Sequence, residues 1–299
     1  MRYETANAFR TALEQRLKNE AQATGIALIR LRKRVAFERF LARLATSESS
    51  GWVLKGAFAL ELRLGLRTRT TKDIDLGRAD DEEAATEHLE AATHVDLGDF
   101  FVFEARRTPA LDAATGFHAV RYTVRANLDA RRFEQFPVDV AFSEATPIQA
   151  EPLFGANSLE FADVAALQLP VVSLEQHVAE KLHAYTGAFG QDQRESTRVK
   201  DLVDLVLIGE SAEMDAKRLH QALAATFAQR GRQPLPNAMP LPPSSWARPY
   251  AVLAREVGIA VDIEAGHAAA VRLLDPVLRS EAGGHWDPEA RRWRSHACS

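Results

Sequence analysis

Cysteine is almost missing from this chain: of 299 residues only Cys298, beside the last residue, is one. An internal disulfide and a cysteine-rich metal site are therefore excluded, which fits a reducing compartment. Nowhere do 18 apolar residues run together, so no membrane span is expected. The opening MRYETANAFRTALEQRLKNEAQ is polar and helix-prone and lacks the apolar core of a secretory signal, so the expected location is the cytoplasm. An excess of one charge is also absent. With 37 Lys and Arg against 41 Asp and Glu the formal net charge is −4, so the whole chain is no polycation and any RNA-binding surface has to be a local patch. There is no internal repeat, no Gly-x-x-x-x-Gly-Lys-Ser/Thr phosphate loop, no His-Glu-x-x-His and no Cys/His zinc spacing. His177 and His183 share a helical face poorly and read as ordinary helix residues.

What is present is concentrated in Gly51 to Gly77. A short apolar run, Trp52 to Leu54, meets Lys55-Gly56, a helix-compatible segment follows over 57–64, and an Arg/Thr-rich turn leads into Asp73-Ile74-Asp75-Leu76. In an extended strand residues i and i+2 point to one face, so Asp73 and Asp75 project together. Side-by-side carboxylates repel unless a cation lies between them. Mg²⁺ is a hard cation that takes oxygen ligands and is shared with substrate phosphates. The alternative is two solvated acids at a turn. Gly56 allows a close backbone approach to a phosphate, the N–H groups of a helix opening at Ala57 favour an anion, and Lys55 suits a triphosphate as a point charge. Thr71 lies two residues before Asp73, placed to orient a phosphate or water or to satisfy the turn. A third acid, Asp139, follows in the strand-like run 136–142, as a site acid or as a structural acid facing solvent.

The rest reads as alternating elements. Helices are expected over 4–22, 25–46 and 81–93, strands over 99–107, 117–128 and 133–142, and helices over 161–168, 174–188, 197–209, 215–230, 249–258 and 264–280. Strands interleaved with helices, then helices alone, suit an α/β (α+β) chain with a mixed sheet and a helical C-terminal part. The expected division is 1–155 and 156–299, with a proline-rich connector over 233–250. In the second helix Ile29, Val35, Phe37, Phe40, Leu41 and Leu44 form the apolar side. Arg30, Arg32, Lys33, Arg34, Arg39 and Arg43 are either a solvated face or a track for a phosphate backbone, and Glu38 with Arg34 or Arg39 reads equally as a structural pair. Lys181 falls on the apolar stripe of Leu174, Val178, Leu182 and Tyr185, so it either snorkels to the rim or points into a site. Arg198–Asp201 and Lys200–Asp204 are spaced as helix ion pairs. Trp286 to Trp293 reads as a closing turn or hairpin.

LKGAFALELRLGLRTRTTKDIDLG resembles the AbiEii/AbiGii toxin family, which includes the MenT toxins of type IV toxin–antitoxin systems. The likeness extends, in the family's order, to LRKRVAFERFLARL, EKLHAY, RVKDLVDL and WDPEARRW. It implies a polymerase-beta-like nucleotidyltransferase core plus a helical C-terminal part. The implied reaction is transfer of a nucleoside monophosphate from an NTP to an acceptor hydroxyl, with Mg²⁺ or Mn²⁺ on Asp73, Asp75 and Asp139. The third acid either completes the metal site or activates the hydroxyl. Lys55, Arg69 and Lys181 are then the phosphate-holding cations. Asp201 is the family's acid in RVKDLVDL, anchoring Lys181 or touching the nucleotide, with Asp204 as second candidate. Where the family commonly has glycine this chain has Ala57, so Gly56 and the backbone carry that role. The implied acceptor is the 3′ end of tRNA, and the implied partner is a separately encoded antitoxin, in growth arrest or phage defence. Transfer to a protein or small-molecule hydroxyl and an inactive nucleotide-binding module are the other readings.

Overall fold

A computed structural model describes residues 1–47, 51–79, 81–108, 119–142, 150–155, 157–187, 198–231 and 233–294. Cys298, most of the expected loop at 47–51, the first two residues of the strand expected at 117–128, and residues 188 and 197 at helix ends lie outside them. The chain forms two compact units: Met1–Gly65 with Thr70–Val172, and Leu66–Arg69 with the chain from Ser173 onward.

The first unit begins with α1 (Ala6–Thr24) and α2 (Leu28–Ser47). The Thr5 side chain accepts a hydrogen bond from the Ala8 N–H at the start of α1, and left-handed Gly25 ends it, so both helix ends follow from local chemistry. Next come β1 (Val53–Lys55), α3 (Gly56–Leu64), β2 (Ile74–Arg78) and α4 (Glu82–Thr93), then β3 (Phe101–Thr108), β4 (Ala119–Leu128), β5 (Arg131–Phe142), β6 (Ala150–Phe154) and β7 (Gln168–Val172). The seven strands form one mixed sheet in the order β3-β4-β5-β2-β1-β7-β6, parallel at β2–β5 and β1–β7 and antiparallel elsewhere. This is the expected mixed α/β architecture.

Phe37 and Phe40 of α2 are fully buried and pack on the sheet. The Phe37 ring lies 4.7 Å from that of Phe136 and 5.0 Å from that of Phe58, and Phe40 lies 5.6 Å from Phe103. Ile29, expected on that apolar side, is instead 55% exposed. The five arginines of α2 all point at acids of the same unit, and among them Arg34 forms the expected structural pair with Glu38. Arg30 bonds Glu61 (3.0 Å), Arg32 bonds Glu14 (2.6 Å), Arg34 bonds Glu38 (3.1 Å), and Arg39 and Arg43 both bond Asp99 (2.6 Å each). Burial works against ionising Asp99, but the two guanidiniums outweigh it and hold its carboxyl below the usual range.

The expected helix at 161–168 is not formed. Residues 160–162 make one 3₁₀ turn, and the chain then extends into β7. Period-two burial, with Leu169 and Val171 inside and Gln168 and Pro170 outside, wins over helix propensity. The 3₁₀ turn itself ends at Asp163, whose left-handed φ of 55 takes the chain off the helical path.

The second unit is helical: α5 (Leu174–Thr186), α6 (Val199–Ser211), α7 (Ala216–Arg230), α8 (Ala247–Val257) and α9 (Ile263–Leu278). Three short strands, β8 (Met214–Asp215), β9 (His285–Asp287) and β10 (Arg292–Arg294), form a small sheet in the order β10-β9-β8. The terminal tryptophans pack onto the helices: Trp286 donates to the Gly209 carbonyl (2.7 Å) and Trp293 to that of Leu273 (2.9 Å). The proline-rich connector is held by a Tyr185 hydroxyl bond to the Pro240 carbonyl (2.6 Å) and a Met239 N–H bond to Asp275 (2.8 Å). Among the described residues no helix is long and apolar enough to cross a membrane.

Candidate active site

In the first unit one row of residues runs across five strands. Lys55 on β1 stands opposite Asp75 on β2, Asp75 opposite Asp139 on β5, Asp139 opposite Arg121 on β4, and Arg121 opposite Thr108 on β3. Residues in register on neighbouring strands share a face. The flanking Ile74, Leu76, Val138, Val140, Val120 and Tyr122 are buried on the other face, so the strand pleat lifts the row's charges out of the core. Its sequence of charge is plus, minus, minus, plus, with the two carboxylates at the centre.

Asp73 sits at the bend just before β2. The Thr71 hydroxyl lies 2.9 Å from its Oδ1 and 3.2 Å from its backbone carbonyl, donating to that acceptor pair and fixing the carboxylate two residues before Asp75. Gly56 opens α3 at φ +65, and a β-carbon there would lie 1.8 Å from Asp75 Oδ2. The Asp75 carboxylate therefore occupies the room that a side chain at residue 56 would need. The α3 N-terminus carries no side-chain cap.

Asp139 is gripped by Arg121 through two parallel bonds, Nε to Oδ1 and Nη2 to Oδ2, each 2.6 Å. The guanidinium is held above its ordinary range first by those bonds, against some burial, and then by the charges of Asp139, Asp73 and Asp75. All three predicted metal acids are thus felt by one cation. Among the described residues no group of three or more His, Cys, Asp or Glu is arranged to hold a metal ion. The donors at hand are nonetheless hard carboxylate oxygens, with Asp75 and Asp139 in register on adjacent strands and Asp73 two residues before Asp75, and this set fits Mg²⁺ or Mn²⁺. Arg121 itself is absent from the sequence-derived candidates.

The remaining candidates gather in the second unit. Lys181 Nζ on α5 bonds Asp201 Oδ1 (2.9 Å) and Asp204 Oδ2 (2.6 Å) on α6. Arg69 Nε bonds Asp204 Oδ1 (3.0 Å), and Arg198 Nε pairs with Asp201 (2.7 Å). Both aspartates are completely buried, and Lys181 is nearly so. Burial alone would strip the Lys181 proton, yet Asp201 and Asp204 outweigh it and raise its pKa. Burial likewise works to protonate Asp204, while Lys181 and Arg69 outweigh it and keep the carboxyl low. Three cations on two acids leave one net positive charge. Arg198–Asp201 forms as its helical spacing predicts, whereas Asp204 is engaged from α5 and from the Leu66–Arg69 segment.

The fold of the chain is that of nucleotidyltransferases. It is similar to MenT4, a nucleotidyltransferase toxin from Mycobacterium tuberculosis H37Rv, at a TM-score of 0.58 and 21% identity, over 89% of each chain. JHP933 from Helicobacter pylori is also similar, with a TM-score of 0.45 and 14% identity over 84% of this chain and 92% of that one. No curated protein matches. The model of the AbiEii family, nucleotidyl transferase toxins of type IV toxin–antitoxin systems, matches residues 39–281, and the chain belongs to that family.

Proposed function

We propose that this toxin transfers a nucleoside monophosphate from an NTP to the 3′ end of tRNA, releasing pyrophosphate and blocking translation in the cytoplasm. The observation that carries the chemistry is the pair of adjacent in-register carboxylates, Asp75 and Asp139, with Asp73 two residues before Asp75. Family membership supports the enzyme class and implies a separately encoded antitoxin. Asp73 and Asp75 are the residues that would hold Mg²⁺ or Mn²⁺, with Asp139 as the third acid. When bound, such an ion neutralises phosphate charge and lowers the pKa of a hydroxyl.

In this reading Thr71 fixes the Asp73 carboxylate, and Gly56 leaves room for the Asp75 carboxylate against the start of α3. Lys55, at the end of the charged row, is assigned to phosphate oxygens. Arg69 and Lys181 carry positive charge for the triphosphate and the leaving pyrophosphate, and Asp201 and Asp204 hold Lys181 protonated and in place.

The test is incubation of the purified protein with total tRNA, Mg²⁺ and each labelled NTP in turn, with Asp73→Ala in parallel. Label on tRNA from one or two nucleotides, lost in the variant while its circular dichroism is unchanged, is the expected result. Label on protein alone would discard the RNA acceptor and keep the chemistry. Transfer by Asp73→Ala at the wild-type rate would overturn the site.

A further inference from the structure

The reaction scheme has no use for Arg121, yet this side chain has both prongs on Asp139 at 2.6 Å and lies in the electrostatic reach of Asp73 and Asp75. Its position is built into the sheet. Thr108 on the edge strand β3 donates its hydroxyl to the Arg121 carbonyl (3.1 Å), fixing the backbone from which the side chain extends. The pairing of β4 with β5 puts it opposite Asp139. The ion pair is part-exposed, at 35% and 28% of the two side chains, so the guanidinium is not sealed in the core and can exchange partners.

We propose that Arg121 is a built-in counter-cation of the acidic face, which competes with a divalent ion for Asp139 and keeps ion binding weak until a polyphosphate offers the guanidinium another partner. This rests on the metal reading of Asp73 and Asp75. Physically, two or three clustered carboxylates attract a divalent ion strongly, and a fixed positive charge among them opposes it through Coulomb repulsion and by occupying both oxygens of one acid. A phosphate group is an equally good two-pronged acceptor for a guanidinium. Arrival of an NTP would therefore draw Arg121 away as it brings the ion in, and release Asp139 to the site. Arg121 acts here as a positioning residue, through Asp139.

The experiment is Mn²⁺ binding to the full chain without nucleotide, followed by the loss of the free-ion electron paramagnetic resonance signal. Wild type is compared with Arg121→Gln, Arg121→Lys, Asp73→Asn and the double variant Arg121→Gln/Asp139→Asn. Arg121→Gln should bind Mn²⁺ about tenfold more tightly than wild type, the order expected for removing one nearby charge. Arg121→Lys keeps the charge without the two-pronged grip and should fall between them. The double variant should lose the gain, which a merely structural role for Arg121 does not require. If Arg121→Gln does not fold, the order of Arg121→Lys against wild type decides. Equal or weaker binding by the Arg121 variants, with Asp73→Asn still abolishing binding, overturns this proposal alone. If no protein binds Mn²⁺ in an Asp73-dependent way, the metal reading falls and this proposal with it.

Discussion

A β-carbon placed on Gly56 would stand 1.8 Å from Oδ2 of Asp75 and 2.6 Å from its Cγ. The first residue of α3 and the central acid of β2 therefore interlock, and Gly56 serves the site by having nothing there. Its φ of +65 adds a second reason for glycine, since an L side chain in that region costs about 1–2 kcal/mol.

Gly56→Ala is thus expected to act twice. Melting should drop by a few degrees, from backbone strain. Transfer should fall by at least about tenfold, because a carboxylate moved by even 1 Å no longer meets its reaction geometry. Calorimetry and the tRNA-labelling assay check the two effects separately. Melting and transfer both unchanged would mean that α3 shifts freely against β2.

Lys181 is the hinge of the second unit's charge network. Lys181→Met keeps the stem's bulk and removes the ammonium that bridges Asp201 and Asp204, leaving two buried carboxylates with one cation each, Arg198 and Arg69. Breaking a buried pair costs about 3–5 kcal/mol, and the remaining partners put this case at the low end. Asp201→Asn in the same chain should restore part of the loss. Urea denaturation followed by tryptophan fluorescence suits the test, since Trp246, Trp286 and Trp293, three of the four tryptophans, lie in this unit. Additive losses in the double variant would show that Lys181 and Asp201 do not act as a pair.

Much of this was legible in the sequence because its signals are local. The D-x-D triplet, the glycine after Lys55 and the burial stripe of α5 each need only a few neighbouring residues, and the expected elements other than the helix at 161–168 form within a few residues of their expected ends. The Arg121–Asp139 pair was hidden by one residue. The hairpin turns at Asp129-Ala130, both at φ 53, and pairs Leu128 with Arg131 and Asn127 with Arg132. Continued without interruption, that register sets Asp139 against Val120. A bulge between Ala126 and Asn127 makes Phe133 the extra residue, shifts every later pair by one and brings Arg121 opposite Asp139. Nothing in the alternation of β4 alone announces it. Of the α2 pairs, Arg34–Glu38 is legible because its partners are four residues apart, whereas those of Arg30, Arg39 and Arg43 are not, because their acids Glu61 and Asp99 lie far along the chain.

Glu38 gives the last prediction. It lies on α2 with 4% exposure, accepting from Arg34 (3.1 Å) and from the Ser158 hydroxyl (2.9 Å) and N–H (3.2 Å). Burial dominates those bonds and pushes its carboxyl from 4.5 up to about 7. The folded chain then holds this proton more tightly than the unfolded one. The associated stability is fully present below pH 4.5 and is lost as pH rises to 7, a decline of about 3 kcal/mol. Glu38→Gln cannot ionise, so the difference between the two proteins isolates this group from every other that titrates. Urea midpoints taken at intervals from pH 4.5 to 7.5 should show wild type losing stability relative to Glu38→Gln across that window, then running parallel to it. Parallel curves throughout would mean that Arg34 and Ser158, rather than burial, set the charge of Glu38.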